Sequence, residues 1–286
     1  MSQRRSGYAC VFAAALLWSL GGMFVKVLVE RFGAEPRAVA CLRSLFAGLV
    51  LVWALPRLGG VPRVRVGITS LVYALVVGTF VFSTAGTSAA NAILLQYSAP
   101  LLVAVGAVWF LGERLGGRQI GALALGVGGV AAILAFTWGT PDQRGVLYGL
   151  GSAVAFASLM LLQRSMRSGS PVALSCVYNL TAGVVMLPLA WGALRLSPGA
   201  WLVVALMGTV QLGIPYALFI RGIQRVPATD AALITLVEPV LNPVWVWLAV
   251  REEPHWSTFV GGALILAGLL VRFAGARPAT GVPSPD

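Results

Sequence analysis

The chain has 286 residues, of which 58% are hydrophobic and only 10% charged, with a mean hydropathy of +0.89. A soluble domain carries roughly a quarter charged residues, so this composition belongs in a bilayer and leaves no room for a soluble domain. The net charge of +11 sits mostly at the ends of apolar runs, which argues against the basic, aromatic-studded face that a nucleic-acid partner needs.

In chain order, ten apolar runs lie at 8–29, 35–55, 66–87, 89–111, 117–137, 145–163, 171–194, 200–221, 229–250 and 256–274. Each is long enough to cross a hydrocarbon core of about 30 Å, so ten transmembrane helices are expected. The first run is too long for the core of a signal peptide, and Trp18 to Met23 offer no small-residue cleavage site. Trp18 lies deep in this run and is a candidate cavity wall. Lys26 lies near its outer end, placed to snorkel or to meet Glu30 one turn on. In the second run Arg43 falls inside the apolar stretch, eight residues past Glu35.

The fourth run carries Gln96, Tyr97 and Pro100, and the fifth a stripe of Gly117, Gly121, Ala124 and Gly128, which reads as a helix-packing face. The seventh carries Ser175 and Asn179, and the eighth has Gln211 four residues before Pro215. In the ninth, Thr235, Glu238, Asn242 and Trp245 recur at i, i+3, i+7 and i+10, a single helix face. A carboxylate such as Glu238 costs roughly 2.5–3.5 kcal/mol at a bilayer centre unless paired, protonated or in contact with water. Pro239 also frees a backbone carbonyl that must find a partner in protein or in a wet cavity. From helix rise, Arg43 and Glu238 lie about 12 and 13 Å deep from opposite faces, close enough in height to pair. The tail at 275–286 is Pro-rich, polar and expected to be disordered.

If the N-terminus is cytoplasmic, thirteen of the basic residues at span ends fall inside and five outside. That bias sets both termini in the cytoplasm of an inner-membrane protein. Three cysteines lie within spans and indicate no disulfide framework. One histidine, His255, makes no metal site, and Lys26 is not followed by the Ser or Thr of a nucleotide-binding loop. No metal and no cofactor is expected.

The chain also repeats. Setting "NAILLQYSAPLLVAVGAVWFLGE" (91–113) over "DAALITLVEPVLNPVWVWLAVRE" (230–252) aligns Pro100 with Pro239 and Glu113 with Glu252. Paired glycines follow at matching intervals, Gly121 and Gly128 against Gly261 and Gly268, suggesting that the fifth and tenth runs pack alike. Two five-helix halves, 7–138 and 144–274, must then cross the membrane in opposite senses, the inverted-repeat plan of secondary transporters. The prolines are candidate hinges in broken helices.

The segments "ALLWSLGGMFVK" (15–26), "TSAANAILLQYSAP" (87–100) with "FLGERL" (110–115), and "EPVLNPVWVWLAVREE" (238–253) leading into "GGALILAGLL" (261–270) resemble the EamA family of the drug/metabolite transporter superfamily. The likeness covers essentially the whole chain. It implies an all-α integral membrane fold of ten helices in two inverted five-helix repeats, and a carrier of small metabolites such as amino acids, amines or drug-like compounds. One departure is "VREE" in the second half, where the family shows a second "LGE", so a helix-end role for Gly112 is not duplicated.

The expectation is therefore a secondary active transporter exporting a small organic metabolite by alternating access, with protons as the coupling ion because Glu238 is the one carboxylate deep in a span. Glu238, Asn242, Thr235, Gln96, Tyr97, Trp18 and Arg43 are the candidate substrate or coupling residues, and Pro100 and Pro239 the hinges. Lipid surrounds the chain, and a second copy of it is the one protein partner considered. The rival readings are a channel-like facilitator, an uptake permease and a membrane-embedded enzyme. The last lacks a paired intramembrane carboxylate, an intramembrane histidine and a Gly-x-Ser-x-Gly nucleophile.

Overall fold

The computed structural model describes residues 2–111, 116–164 and 169–273. Gly112, Glu113 and the 275–286 tail lie outside the described residues. The described residues are helical throughout the apolar runs. Among the described residues, nine helical rods are long and apolar enough to cross a bilayer, beginning with Gln3–Arg31 and ending with Trp256–Phe273. The second span is shorter: an α-helix at Pro36–Val50 that tightens into a 3₁₀ turn at Val52–Arg57 around Pro56. Local chemistry sets many starts. Ser88, Ser170 and Ser197 each accept a backbone N–H from the first turn of the helix they precede, and Pro36, Pro171 and Pro198 open theirs. Trp53, Trp138, Trp191, Trp201 and Trp256 are exposed at the rod ends, as an interfacial belt requires.

The close helix contacts come in matched pairs, and these fix the architecture. Where the second and seventh spans cross, Cys41 donates to the Gly183 carbonyl and Cys176 to the Gly48 carbonyl, at 3.3 and 3.2 Å. At the same crossing Leu180 covers Gly48 and Leu45 covers Gly183. The first span packs on the eighth and, correspondingly, the sixth on the third. Gly7 meets Gly222 at the end of the bundle that carries the two chain termini, and its counterpart, Gly86 against Gly145, lies at the opposite, distal end. Exchanging the halves therefore exchanges the ends, which is an inverted repeat about an axis across the bundle.

The fifth and tenth spans do pack together, backbone to backbone at Gly129 and Gly261, with Ile133 and Ile265 on either side. The face used on the fifth span is not the expected one. Gly117, Gly121, Ala124 and Gly128 are exposed, and Ala122, Gly126, Gly129 and Ile133 are buried. Small residues lie all round this helix, so glycine spacing alone did not identify the packed side.

The expected helix breaks are present but precede the prolines. The fourth span breaks at Tyr97–Ser98, between helices Ala89–Gln96 and Ala99–Leu111. The ninth breaks at Leu236, between Ala228–Thr235 and Val237–Val250. Each proline thus sits in the first turn of the second half-helix, where a missing N–H costs least. The first span is also interrupted, at Ser19–Leu20, and the eighth contains a π-helical stretch, Met207–Gly213. Arg251 ends the ninth span in the left-handed conformation, φ 59°, with its guanidinium 4.8 Å from the Trp247 ring centroid. The helix-ending conformation that a glycine favours is therefore adopted here by an arginine.

Candidate functional site

The fourth and ninth spans bring their breaks together at one hydroxyl. Tyr97 donates to Glu238 Oε2 at 2.7 Å, and its oxygen also lies 3.0 Å from the Thr235 carbonyl. Thr235 is four residues before Pro239, so its carbonyl is the one that the proline leaves without a helical donor. A single side chain from the first half therefore faces both costly groups of the second. The pairing of Glu238 with Arg43 expected from depth does not form: among the described residues Arg43 has no carboxylate within 4.0 Å. The two side chains belong to different neighbours, Glu238 to Tyr97 and Arg43 to Phe80.

Arg43 instead joins an aromatic and hydroxyl cluster. Its guanidinium is 5.9 Å from the Phe80 ring centroid, and the residue is 6% exposed. Nε and Nη1 find no hydrogen-bond partner among the described residues. Beside it, the Tyr73 hydroxyl donates to Asn179 Oδ1 at 3.0 Å and lies 3.5 Å from the Tyr216 hydroxyl. Asn179 in turn donates to the Ser175 carbonyl. Trp18 packs edge-on to Tyr216, centroids 5.5 Å apart, and against Phe219 at 5.1 Å. Tyr73 and Tyr216 were missed in the sequence. The available signal was the one that marked Tyr97, a tyrosine well inside an apolar run.

A third cluster surrounds the break in the first span. Gln211 donates to the Trp18 carbonyl at 3.1 Å, and the Trp245 indole donates to Ser19 Oγ at 2.9 Å. Asn242 lies against Gly22, where a Cβ would collide with its amide. Gln211 Oε1 and Asn242 Oδ1 are buried acceptors with no partner. The ninth-span face expected from spacing meets more than one neighbour. Glu238 turns to the fourth span, Asn242 and Trp245 to the first, and the Thr235 hydroxyl bonds its own helix at Ala232. Gln96 also points elsewhere, donating to Ser152 on the sixth span at 2.8 Å. The break at Leu236 and the crowding of three helices account for the scatter.

At the distal end Lys26 is buried between Glu30, at 3.3 Å, and Glu252, at 2.5 Å. Glu252 also accepts the Ala89 N–H at 2.9 Å, at the start of the fourth span. The i+4 contact with Glu30 was expected; the bond to Glu252, linking the first span to the end of the ninth, was not. A polar cavity of about 410 Å³ opens beside it, lined by Thr87, Asn91, Asp142, Glu252 and His255 among others. A second, apolar cavity of about 690 Å³ runs between the fourth, ninth and tenth spans over Leu94, Pro239, Trp247 and Phe259. Among the described residues no group of three or more metal-ligating side chains occurs.

The family model for EamA-like transporters matches the chain twice, at residues 5–135 and 143–273. An uncharacterized transporter of Archaeoglobus fulgidus is 29% identical over 274 residues, covering 93% of this chain and 96% of that one. An uncharacterized inner membrane transporter of Salmonella typhimurium, YicL, is 24% identical over 300 residues, covering 95% and 96%. A crystal structure at 22% identity superposes with a TM-score of 0.66 over 96% of this chain and 99% of its own, a likeness of fold.

Proposed function

This chain belongs to the EamA-like transporter family, a multi-pass membrane transporter, and from that premise we propose that it exports a small organic metabolite across the inner membrane by alternating access. Both termini face the cytoplasm in this reading. Protons are the coupling ion, carried by Glu238, and the chain catalyses no covalent chemistry.

The observation that carries the proposal is the meeting of two broken helices at the Tyr97–Glu238 bond. A carboxylate at a helix break, held by one neutral donor and with no cation within 4.0 Å among the described residues, can gain or lose a proton without breaking a salt bridge. The same hydroxyl serves the carbonyl freed by Pro239, so a change at Glu238 reaches the backbone of the break. Two inverted halves, packed through matched contacts, supply bodies that can rock against each other.

Purified protein in liposomes tests the reading by counterflow. A carrier accelerates labelled solute entry when the same solute is preloaded; a channel does not. Reporter fusions after Arg65 and near Asp142 should read cytoplasmic and periplasmic respectively, and a periplasmic C-terminus would overturn the orientation.

A further inference from the structure

Arg43 stands out because its charge is deep in the bundle and unanswered. It lies on the second span, 6% exposed, with Nε and Nη1 lacking any partner among the described residues. A guanidinium withdrawn from water persists when something compensates it. The ring of Phe80 at 5.9 Å offers a cation–π contact, which directs no hydrogen bonds. Glu238 attracts it through space but is bonded to Tyr97, and no carboxylate approaches within 4.0 Å. Three of the charged groups of the bundle that are buried or partly buried, Lys26, Glu252 and Asp230, are all engaged. Arg43 has no such partner among the described residues.

Its surroundings describe a complementary ligand. The guanidinium presents donors in a planar fork that matches a carboxylate. The hydroxyls of Tyr73 and Tyr216, 3.5 Å apart, are among its electrostatic neighbours, and the Tyr216 ring packs on Trp18, which packs in turn on Phe219. Gln211, on the segment packed against the second span, holds an unpartnered acceptor at the Trp18 backbone. We propose that Arg43 is the anchor for the carboxylate of the transported solute, a small organic acid whose apolar part lies along Trp18, Tyr216 and Phe219. This rests on the transporter reading above and narrows it: simple amines and cationic compounds are not substrates, whereas amino acids and hydroxy acids are the two sources of the required group.

The test compares benzoate, benzamide and benzylamine as probes of purified protein by thermal shift, with leucine and 2-hydroxyisocaproate as the amino-acid and hydroxy-acid arms. Benzoate is expected to raise the melting temperature by about 2–4 °C at several times its Kd, with no rise from benzamide or benzylamine. Arg43→Met abolishes the benzoate shift. The ligand-free Arg43→Met protein should melt no lower than the wild type, because an unpaired buried charge has been removed; a fall of several degrees would make Arg43 a structural partner and overturn the proposal. It is equally overturned by equal shifts from benzamide or benzylamine, by a shift that chloride alone reproduces, by a benzoate shift that survives Arg43→Met, or by no carboxylate-specific shift up to about 50 mM. Carboxylate binding without counterflow would instead sink the carrier reading and leave this site standing.

Discussion

The crossing of the second and seventh spans and the approach of the fourth and ninth are both places where one half of the chain meets the other. At the first, the halves contribute like for like: Cys41 and Cys176, Gly48 and Gly183, Leu45 and Leu180 trade the same contacts. At the second they contribute unlike groups. Tyr97 comes from the fourth span, and Glu238 with the Thr235 carbonyl from the ninth. Even the second and seventh spans diverge one turn along, where Arg43 matches Tyr178 in the repeat. Packing needs only shape, and shape survives inversion. The Tyr97–Glu238 bond has no such mirror, because the repeat sets Leu236 against Tyr97 and Ala99 against Glu238.

The comparison breaks most readily at its least symmetric charge. Lys26→Met leaves the largely buried Glu252 without its cation, and should cost about 3–5 kcal/mol. The double change Lys26→Met with Glu252→Met should recover most of that loss, read as melting temperature in detergent. A single change as mild as the double one would mean that the pair does not hold the distal end together.

The symmetric crossing gives the next effect. Gly48→Val and Gly183→Val each press a branched side chain into a leucine of the other half, at about 1–3 kcal/mol. Because the contacts match, the two losses should agree within about 0.5 kcal/mol. A clear inequality would show that the scaffold is less symmetric in energy than in form.

Tyr97→Phe is smaller and belongs to the unlike pair. It removes the donor shared by Glu238 and the Thr235 carbonyl, and should cost about 1–2 kcal/mol while altering the pH dependence of transport. An unchanged pH profile would separate Tyr97 from coupling.

Much of this was legible beforehand, for identifiable reasons. Hydropathy alone located the spans, and the recurrence of Pro100 and Pro239 revealed the inverted halves, because both signals are properties of single segments. The freed carbonyl at Thr235 was foreseen in kind, but its partner was not. Tyr97 lies on the other half of the chain, and depth arithmetic pointed to Arg43, whose neighbour is Phe80. For Lys26 helical spacing named Glu30, and that contact forms; the closer bond to Glu252 crosses from the first span to the ninth, which no local spacing could name. The glycine stripe of the fifth span failed because small residues surround that helix, so only its neighbour defines the buried side. Gln96 was a candidate as the fourth-span counterpart of Thr235, and its amide donates across to Ser152 on the sixth span, a partner that spacing within one helix does not name.

The central claim is that Glu238 moves a proton and is not a structural ion pair. Glu238→Gln keeps an oxygen for Tyr97 to donate to and strands no cation within 4.0 Å, so the protein should retain its melting temperature within about 1 kcal/mol of stability. In proteoliposomes the variant should keep counterflow exchange and lose transport driven by an imposed pH gradient. A folded variant that still accumulates solute on the gradient, with the wild-type pH dependence, would contradict the account.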